Sequence, residues 1–261
     1  MSRQKRLPIY AAPALDKGLD ILECLAEQRV PLTQSRLARV LRRSPSELFR
    51  MLSCLEQRGY VRKDPVSGAY ALSLRLFELS RMHSPYQHLT RAAARPMQAL
   101  AESVHESCHL SILHGARLLI VAQEESPEKI RLSVEVGGSF SPLSTVSGRM
   151  LLSMLPGPEL RQTLRLMHGY KTWPAAAKSA LEDRLRRIRA HKYAEAYSET
   201  VCGVYDLAVP VGGGSVRAAL TIACLSQDKA QARRRLLSAL QMRAAEISAA
   251  AGLLAVEEQF L

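Results

Sequence analysis

The sequence predicts an α+β protein in two parts: a small N-terminal unit of three helices with a β-hairpin, and a larger domain built around a mostly antiparallel sheet. Two patterns lead to this prediction. In residues 14–58, apolar side chains recur at helical spacing in three short segments. In residues 108–224, β-prone runs alternate with helical segments, and further helices stand before and after them. Strands enclosed by helices at both sequence ends are typical of this class.

Length and composition are those of an ordinary globular protein. The 261 residues are 47% hydrophobic, which excludes the disordered and fibrous classes. The longest apolar runs, such as 118–122 and 151–155, are far shorter than the roughly 20 residues of a membrane helix. Residues 1–6 lead into no hydrophobic signal segment. We therefore expect a cytoplasmic protein with no membrane partner.

The charge is strongly basic and unevenly distributed. The formal net charge is +12, and residues 1–80 carry 14 Lys and Arg against 8 Asp and Glu. The N-terminal third is therefore about twice as basic per residue as the remainder. Such an excess attracts polyanions, so the smaller unit is the expected site of contact with nucleic acid.

The first two helices are predicted from apolar stripes. Leucines and alanines recur at helical spacing in 14–28, with acidic residues on the other faces. The stretch Pro31-Leu32-Thr33 breaks this helix, and Thr33 or Gln34 begins a short second helix that ends at Leu41. Four arginines decorate the outer side and the exit of the second helix: Arg36, Arg39, Arg42 and Arg43.

The third helix has a strong local signal at its start. Ser44 suits the N-cap, Pro45 suits the first helical position, and Glu47 completes an S-x-x-E capping box. Gly59 suits the left-handed residue that ends the helix. Two β-prone runs, 60–63 and 69–72, then flank a cluster of turn residues and predict a hairpin.

Helix, helix, turn, capped helix and hairpin follow the order of a winged helix-turn-helix, whose third helix, here 44–58, enters the major groove of DNA. The alternative is a small helical domain whose arginines form only a solvated face. The basic residues cluster at the turn and at the start of the third helix, where base edges would lie. This clustering favours the DNA-binding interpretation.

The remaining elements divide the chain into domains. An almost wholly apolar helix over 73–82 needs a partner surface, and a long helix over 86–103 follows it. Strands are expected at 108–113, 118–124, 130–135, 204–211 and 216–224, and helices at 144–155, 159–167, 180–191 and 228–254. The predicted organisation is a basic tail (1–12), a winged helix-turn-helix (13–73), a linker helix (74–85) and a larger domain (86–261).

Three segments identify a resemblance: 14–22 (ALDKGLDIL), 52–61 (LSCLEQRGYV) and 70–76 (YALSLRL). The pattern continues in register through 108–113, 148–152, 188–189 and 208–211. On these residues the chain resembles the IclR family of bacterial transcriptional regulators over essentially its whole length. The resemblance implies a GAF-like effector domain, a homodimer or homotetramer on operator DNA, and small organic acids or aromatic compounds as effectors. Whether the protein represses or activates stays open.

Three positions depart from the family pattern. Residues 142–148 (PLSTVSG) are one residue shorter than the usual stretch before the pocket helix, and they lack its histidine. Asp206 stands where many members have a cysteine, and Thr221-Ile222-Ala223 replaces the usual S-x-S. We therefore expect a pocket whose ligand differs from those of the best-known members.

The expected DNA contacts lie at the start of the third helix and on the hairpin. Arg50 can reach guanine or phosphate, and residues at the helix entrance can reach bases and backbone. For any single arginine, a plain phosphate contact or no contact is the alternative. The full set is Arg42, Arg43, Ser44, Ser46, Glu47 and Arg50, with Arg62 and Lys63 beside the hairpin as phosphate contacts.

The expected effector site combines a helix start with two strands. Hydroxyls and backbone amides at the start of the helix that follows Ser144 favour an anion such as a carboxylate. By family position, two side chains on neighbouring strands face the same cavity. The full set is Ser144, Thr145, Ser147, Gly148, Asp206 and Thr221. Ordinary helix capping is the alternative for the hydroxyls, and an exposed strand end is the alternative for Asp206.

Metal and catalytic roles are disfavoured, and no cofactor is expected. The five cysteines are scattered, with no CxxC pair or zinc-finger spacing, so reduced thiols are expected. His105 and His109 share a face if both lie on a strand, but Cys108 then points away. A hydrolase could in principle use Ser147, His109 and Asp206, but no serine of the sequence stands in the G-x-S-x-G elbow that exposes a nucleophile. A nucleic-acid-binding protein without a sensor would leave the larger domain unexplained.

Overall fold

The computed structural model describes residues 12–82, 86–197, 199, 201–214, 216–225 and 229–253. The chain divides into two compact units, Met1–Ser84 and Pro85–Leu261. The α+β class predicted from the sequence is confirmed. The basic tail expected at 1–12 lies outside the described residues except for Ala12. In the described part of the chain, no helix has both the length and the apolar character that a membrane crossing requires.

Three helices form the body of the smaller unit: α1 (Pro13–Gln28), α2 (Gln34–Leu41) and α3 (Pro45–Gln57). Thr33 caps α2 by accepting the N–H of Arg36 at 3.4 Å, and Gln34, one of the two starts expected from the sequence, is the first residue of the helix. The apolar stripes of the three helices meet in one buried core, which includes Ile21, Leu25, Leu37, Leu48 and Leu52. Burial of these stripes, more than helix propensity, stabilises helices this short.

A small antiparallel sheet completes this unit, with β1 (Leu32–Thr33), β2 (Val61–Lys63) and β3 (Ala69–Leu72) in the order β1-β3-β2. The predicted hairpin of β2 and β3 is confirmed, and Asp64 holds its turn by accepting the N–H of Ser67 at 2.7 Å. The sequence pattern does not predict β1, because two residues are too few for a period. Leu32 and Thr33 nevertheless pair with Tyr70 and Ala69.

Helix α4 (Arg75–Met82) lies within the predicted linker, of which 83–85 fall outside the described residues. Its apolar character is as expected from the sequence. Leu74, just before the helix, is 74% exposed, and Leu76 is 40% exposed. These side chains are therefore not part of the core of a single chain.

The larger unit begins with α5 (Gln87–Val104), followed by a six-stranded sheet in which every neighbouring pair is antiparallel. The strands are β4 (Cys108–His114), β5 (Arg117–Glu124), β6 (Ser139–Phe140), β7 (Ala194–Tyr197), β8 (Val204–Gly213) and β9 (Val216–Leu225), in the order β6-β5-β4-β9-β8-β7. The other helices are α6 (Val146–Ser153), α7 (Gly157–Leu166), α8 (Ala175–His191) and α9 (Lys229–Ala250).

Helices cover both faces of this sheet. On one face, α5 and α9 pack against alternate residues of the central strands, among them Leu110, Leu207 and Leu220. On the other face, α6 and α8 pack against Ile120, Ala208 and Ala219. The central strands are therefore buried on both sides, and a polar side chain on either face lies inside the domain.

Two sequence-based expectations for this unit need correction, and the sequence pattern predicts neither β6 nor β7. The strand expected at 130–135 is irregular, and the N–H of Val134 bonds to the side-chain Oε1 of Gln123 at 2.8 Å. The next ladder with β5 is made instead by the two residues of β6. Helix α8 begins at Ala175, five residues before the expected 180, directly after Pro174. The edge strand β7 has no β-branched residue to signal it.

Substitution of the N-cap serine should loosen the start of α3. Ser44→Ala removes the acceptor for the N–H of Glu47, and loss of such a cap costs about 1 kcal/mol. We expect amide hydrogen exchange in α3 to quicken roughly fivefold in the full chain, if these amides exchange by local opening. Ser53→Ala, which removes an exposed mid-helix hydroxyl, is the matched control. Equal protection in both variants would contradict the capping role.

Candidate nucleic-acid interface and ligand cavity

The start of α3 is held by reciprocal hydrogen bonds. The Ser44 Oγ accepts the N–H of Glu47 at 3.3 Å, and the Glu47 carboxylate accepts the N–H of Ser44 at 3.1 Å. Glu47 also pairs with the Nζ of Lys17 on α1 at 2.8 Å. The hydrogen bond from Lys17, followed by that from the Ser44 N–H, lowers the pKa of Glu47 to about 2. Glu47 is thus a fixed carboxylate that ties α3 to α1.

The side chains expected to contact DNA differ in whether they already have partners within the chain. Arg43 donates to the Asp20 carboxylate on α1 at 3.0 Å and is only partly exposed. Within the described residues, Arg42 and Arg50 are exposed and form no ion pair. Ser46 is exposed and lies 3.2 Å from the Ser44 hydroxyl. The outward face of α3 therefore presents Ser46 and Arg50, while Arg43 and Glu47 orient the helix.

The hairpin adds two basic side chains beside α3. Arg62 and Lys63 lie on β2, exposed to solvent. The Nζ of Lys63 is 5.5 Å from the centre of the Tyr70 ring on β3, which steadies the side chain through a cation–π contact. Both residues can meet a phosphate while their charge stays in water.

In the larger unit, a cavity of about 160 Å³ lies between the sheet and the start of α6. Its wall is mostly hydrocarbon, from Leu118, Ile120, Leu132, Val134, Phe140, Val146, Val201, Val204 and Ala223. Six polar residues interrupt it, namely His109, Ser133, Thr145, Ser147, Asp206 and Thr221. The sequence-based site therefore converges on one cavity for Thr145, Ser147, Asp206 and Thr221.

Ser144 and Gly148 are placed differently. Ser144 is exposed and absent from the cavity wall, and its hydroxyl donates to the Ser141 carbonyl at 3.2 Å. Gly148 donates its N–H to the Thr145 Oγ1 at 3.2 Å. A β-carbon on Gly148 would lie 2.3 Å from the Cα of Pro142, so glycine permits the close approach of these backbones. Gly148 therefore serves packing behind the cavity wall.

The polar floor of the cavity lies on neighbouring strands. His109 of β4 is directly opposite Thr221 of β9, and Asp206 of β8 is opposite Ala223 of β9. Thr221 is 1% exposed, and its Oγ1 has no hydrogen-bond partner. A buried hydroxyl without a partner costs about 1–3 kcal/mol. Thr221 is therefore a polar group that a ligand could satisfy.

Burial determines the protonation states of His109 and Asp206. It lowers the pKa of His109 to about 4, so this imidazole is neutral at neutral pH. Burial also raises the pKa of Asp206 to about 6; the charge of Arg149 opposes this shift and that of Glu199 adds to it. No lysine or arginine side chain is part of the described cavity wall.

An ion-pair network that sequence reasoning missed lies close to Asp206. Arg149 of α6 is 4% exposed, pairs with Glu199 at 2.6 Å and donates to the Leu143 carbonyl at 3.2 Å. Arg184 of α8 pairs with the same carboxylate at 2.6 Å. Because Glu199 and Arg149 are 50 residues apart, no local pattern signals the pair.

Two alternative chemistries can be compared with this geometry. The metal interpretation requires His105 on a strand, but His105 caps the end of α5, exposed, with its Nδ1 3.0 Å from Glu128. The described residues contain no group of three potential metal ligands. Ser147, His109 and Asp206 do line one cavity, but no hydrogen bond joins any two of them in the described structure. A nucleophile–base contact is therefore missing.

Comparison with known families settles the relationship. The profile of the bacterial transcriptional regulator IclR C-terminal domain matches residues 84–249, and that of the IclR helix-turn-helix domain matches residues 14–65. The chain belongs to the IclR family. Its members are transcriptional regulators, and the helix-turn-helix assigns DNA binding to the smaller unit of this IclR protein.

Characterised relatives and solved structures agree with this assignment. The HTH-type transcriptional regulator KdgR of Escherichia coli is 28% identical over 198 residues, 75% of this chain and 74% of KdgR. The glycerol operon regulatory protein of Streptomyces griseus is 30% identical over 200 residues, 76% and 78% of the two chains. An IclR homologue complexed with 4-hydroxybenzoate from Microbacterium hydrocarbonoxydans has a TM-score of 0.76 and 22% identity, and 92% and 99% of the chains are covered. That structural likeness shows the fold.

The stability of this IclR protein should depend on pH through the ionisation of Asp206. Its pKa rises from 3.8 to about 6 on folding, so across that window the native state keeps a proton that the unfolded state releases. Stability attributable to this group therefore falls as pH rises from about 4 to about 6. Asp206→Asn removes the effect, so its melting temperature relative to wild type should increase between about pH 4 and pH 7.5.

The exposed carboxylate of Glu182 on α8 provides the control, as Glu182→Gln. Calorimetry of both variants and the wild type at the two pH values measures the differences. A relative melting temperature of Asp206→Asn that is the same at both pH values would argue against the raised pKa.

Proposed function

We propose that this IclR-family chain is a regulator that reads an operator with the outward face of α3. The observation that carries the proposal is a helix whose start is fixed by the capping box and by the Lys17–Glu47 pair, with an exposed arginine on its outer side. A recognition helix must be held rigidly to present side chains to base edges. The excess of basic residues in this unit supplies attraction to phosphates.

The proposed contacts divide by role. Arg50 reads a guanine through a bidentate contact, and Ser46 reaches a base or the adjacent backbone. Arg42, Arg62 and Lys63 meet phosphates. Ser44, Arg43 and Glu47 act mainly by holding α3, because their hydrogen bonds within the chain occupy them.

The proposed effector is a small aromatic compound or organic acid in the cavity of the larger unit. An apolar cavity of about 150 Å³ holds a benzene ring, so about 160 Å³ suits a single ring. A ligand hydroxyl would satisfy Thr221 or Asp206. A carboxylate would meet the N–H groups of Val146 and Ser147, which begin α6 and have no acceptor within the helix. The relative that bound 4-hydroxybenzoate supports the aromatic class.

The mechanism we propose is a shift of population between two arrangements of a homodimer or homotetramer in the cytoplasm. The exposed leucines on α1 and just before α4, such as Leu15 and Leu74, support burial against a second copy. Effector binding would change the packing between copies, and α4 would transmit it to the two recognition helices. A coupling of about 1–3 kcal/mol changes operator affinity roughly 5- to 150-fold. The mechanism needs neither a cofactor nor an enzymatic step, and we propose that the protein is not an enzyme.

The symmetry of a dimer also predicts how the operator is arranged. A two-fold dimer requires a pseudo-palindrome with half-site centres about 34–36 Å apart, or a multiple of that distance. Saturating effector that leaves operator affinity and transcription unchanged would exclude the proposed mechanism.

Removal of the Arg50 guanidinium should weaken specific binding strongly. With DNA from upstream of its own gene, physiological salt and excess random competitor, we expect wild type to bind at about 10⁻⁸ M or tighter in fluorescence anisotropy. Loss of one bidentate contact per half-site costs about 1–3 kcal/mol each, so Arg50→Ala should bind at least tenfold more weakly.

Arg234→Ala removes an equal charge from the exposed side of α9 and should retain nearly full affinity. Equal losses in the two variants would mean that the protein is a general polyanion binder. Weak, competitor-sensitive binding by wild type would move the search to a genome-wide occupancy measurement, because the operator would then lie elsewhere.

The Thr221 hydroxyl should affect the empty and the occupied cavity in opposite directions. Thr221→Val replaces a buried, unpartnered hydroxyl with a methyl group, so the empty protein should gain about 1 kcal/mol or more. Binding of a phenol or hydroxybenzoate that uses this hydroxyl should weaken at the same time. Unfolding curves with and without each compound, for both proteins, measure the two effects.

Ser153→Ala is the contrasting variant, because its buried hydroxyl already donates to the Met150 carbonyl at 2.6 Å and its removal should destabilise the empty protein. A destabilised Thr221→Val protein, or unchanged binding of every compound that stabilises wild type, would contradict a ligand-facing hydroxyl.

A further inference from the structure

One large apolar side chain lies on the outward side of α3. Phe49 is 56% exposed, while its neighbours Leu48 and Leu52 are fully buried in the core. Phe49 is therefore not part of the apolar core that holds the helix. The residues around it on the surface are polar, since Ser46 is three positions before it and Ser53 four positions after it.

Ser46, Phe49, Arg50 and Ser53 form one stripe at positions i, i+3, i+4 and i+7 of the helix. All four are exposed. A protein partner that covered Phe49 would also have to bury the Arg50 charge and two serines, which lowers its affinity unless each finds a partner. A DNA major groove accepts the whole stripe, because phosphates and base edges match the arginine and the serines.

A phenyl ring has no donor or acceptor, so it cannot read the hydrogen-bonding pattern of a base pair. The apolar feature of the major groove is the C5-methyl group of thymine, and phenylalanine is among the side chains that contact it. We propose that Phe49 contacts a thymine methyl group in each operator half-site, within about two base pairs of the base that Arg50 contacts. This inference rests on the proposed entry of α3 into the major groove.

The contact makes Phe49 a specificity-determining residue. It favours thymine over cytosine and over deoxyuridine, which pairs as thymine does but lacks the methyl group. Withdrawal of one methyl group from water corresponds to a change in affinity of about fourfold, and two half-sites together give roughly 15-fold.

The test begins with selection of duplexes from a random library by the full chain, for wild type and Phe49→Ala. Each thymine of the wild-type site, together with its symmetry mate, is then replaced by deoxyuridine, and affinities are measured by anisotropy. We expect one thymine per half-site whose replacement weakens wild-type binding about 15-fold and leaves Phe49→Ala unaffected. Sites selected by Phe49→Ala should lose the preference for thymine at that position alone.

Met242→Ala, which truncates an equally exposed apolar side chain on α9, should bind every duplex as wild type does. Failure of wild type to enrich any sequence would overturn the proposed operator reading itself. Suppose that wild type enriches a site, but that no replacement of thymine by deoxyuridine weakens wild type more than Phe49→Ala. That result would overturn this inference and leave operator reading intact. Equal losses on thymine and deoxyuridine duplexes, with a change of mass in sedimentation, would assign Phe49 to an interface between copies.

Discussion

Burial of the central strands on both faces is the constraint on which the larger unit depends. Because α5 and α9 cover one side of β4, β8 and β9 and α6 and α8 cover the other, every buried side chain of these strands needs an apolar neighbour or a hydrogen-bond partner. Most are aliphatic and meet the first condition. Thr221, His109 and Asp206 are polar, and they lie together on one patch of one face, around a cavity. Packing of the sheet alone does not require polar side chains at these positions.

In the smaller unit, too, hydrogen-bond partners decide what each polar side chain does, here at the protein surface. Its helices are too short to be stable alone, so their orientation is set by the shared core and by polar contacts at their ends. The Ser44–Glu47 box and the pairs to Lys17 and Asp20 fix the start of α3 against α1. Residues that do this cannot also be free to read bases. Intramolecular hydrogen bonds thus separate the side chains that position α3 from those that it presents.

Local signals were sufficient for much of the fold. The capping box of α3, the caps of the short helices and the hairpins around 64–68 and 212–214 depend on residues close in sequence, and each is present. Elements that depend on distant partners could not be predicted. The run 130–135 has strand character, but its Val134 N–H meets a side chain, and β1 exists only because Tyr70 and Ala69 pair with it. The same holds for the ion pair of Arg149 and Glu199 near Asp206, which joins residues 50 apart in the sequence and has no local signal.

The unpartnered Thr221 hydroxyl and the buried Asp206 carboxyl are what would allow a ligand in the cavity to change operator affinity. A ligand shifts an equilibrium only by the difference between its affinities for the two states. In the state described here, the Thr221 hydroxyl lacks a partner and the Asp206 carboxyl is buried, so a ligand that bonds to both gains energy that an already satisfied wall would not provide. One satisfied hydroxyl contributes about 1–3 kcal/mol, the same size as a typical coupling between sites. If the second state closes the cavity or pairs these groups within the chain, that gain belongs to one state alone and becomes a change in operator affinity.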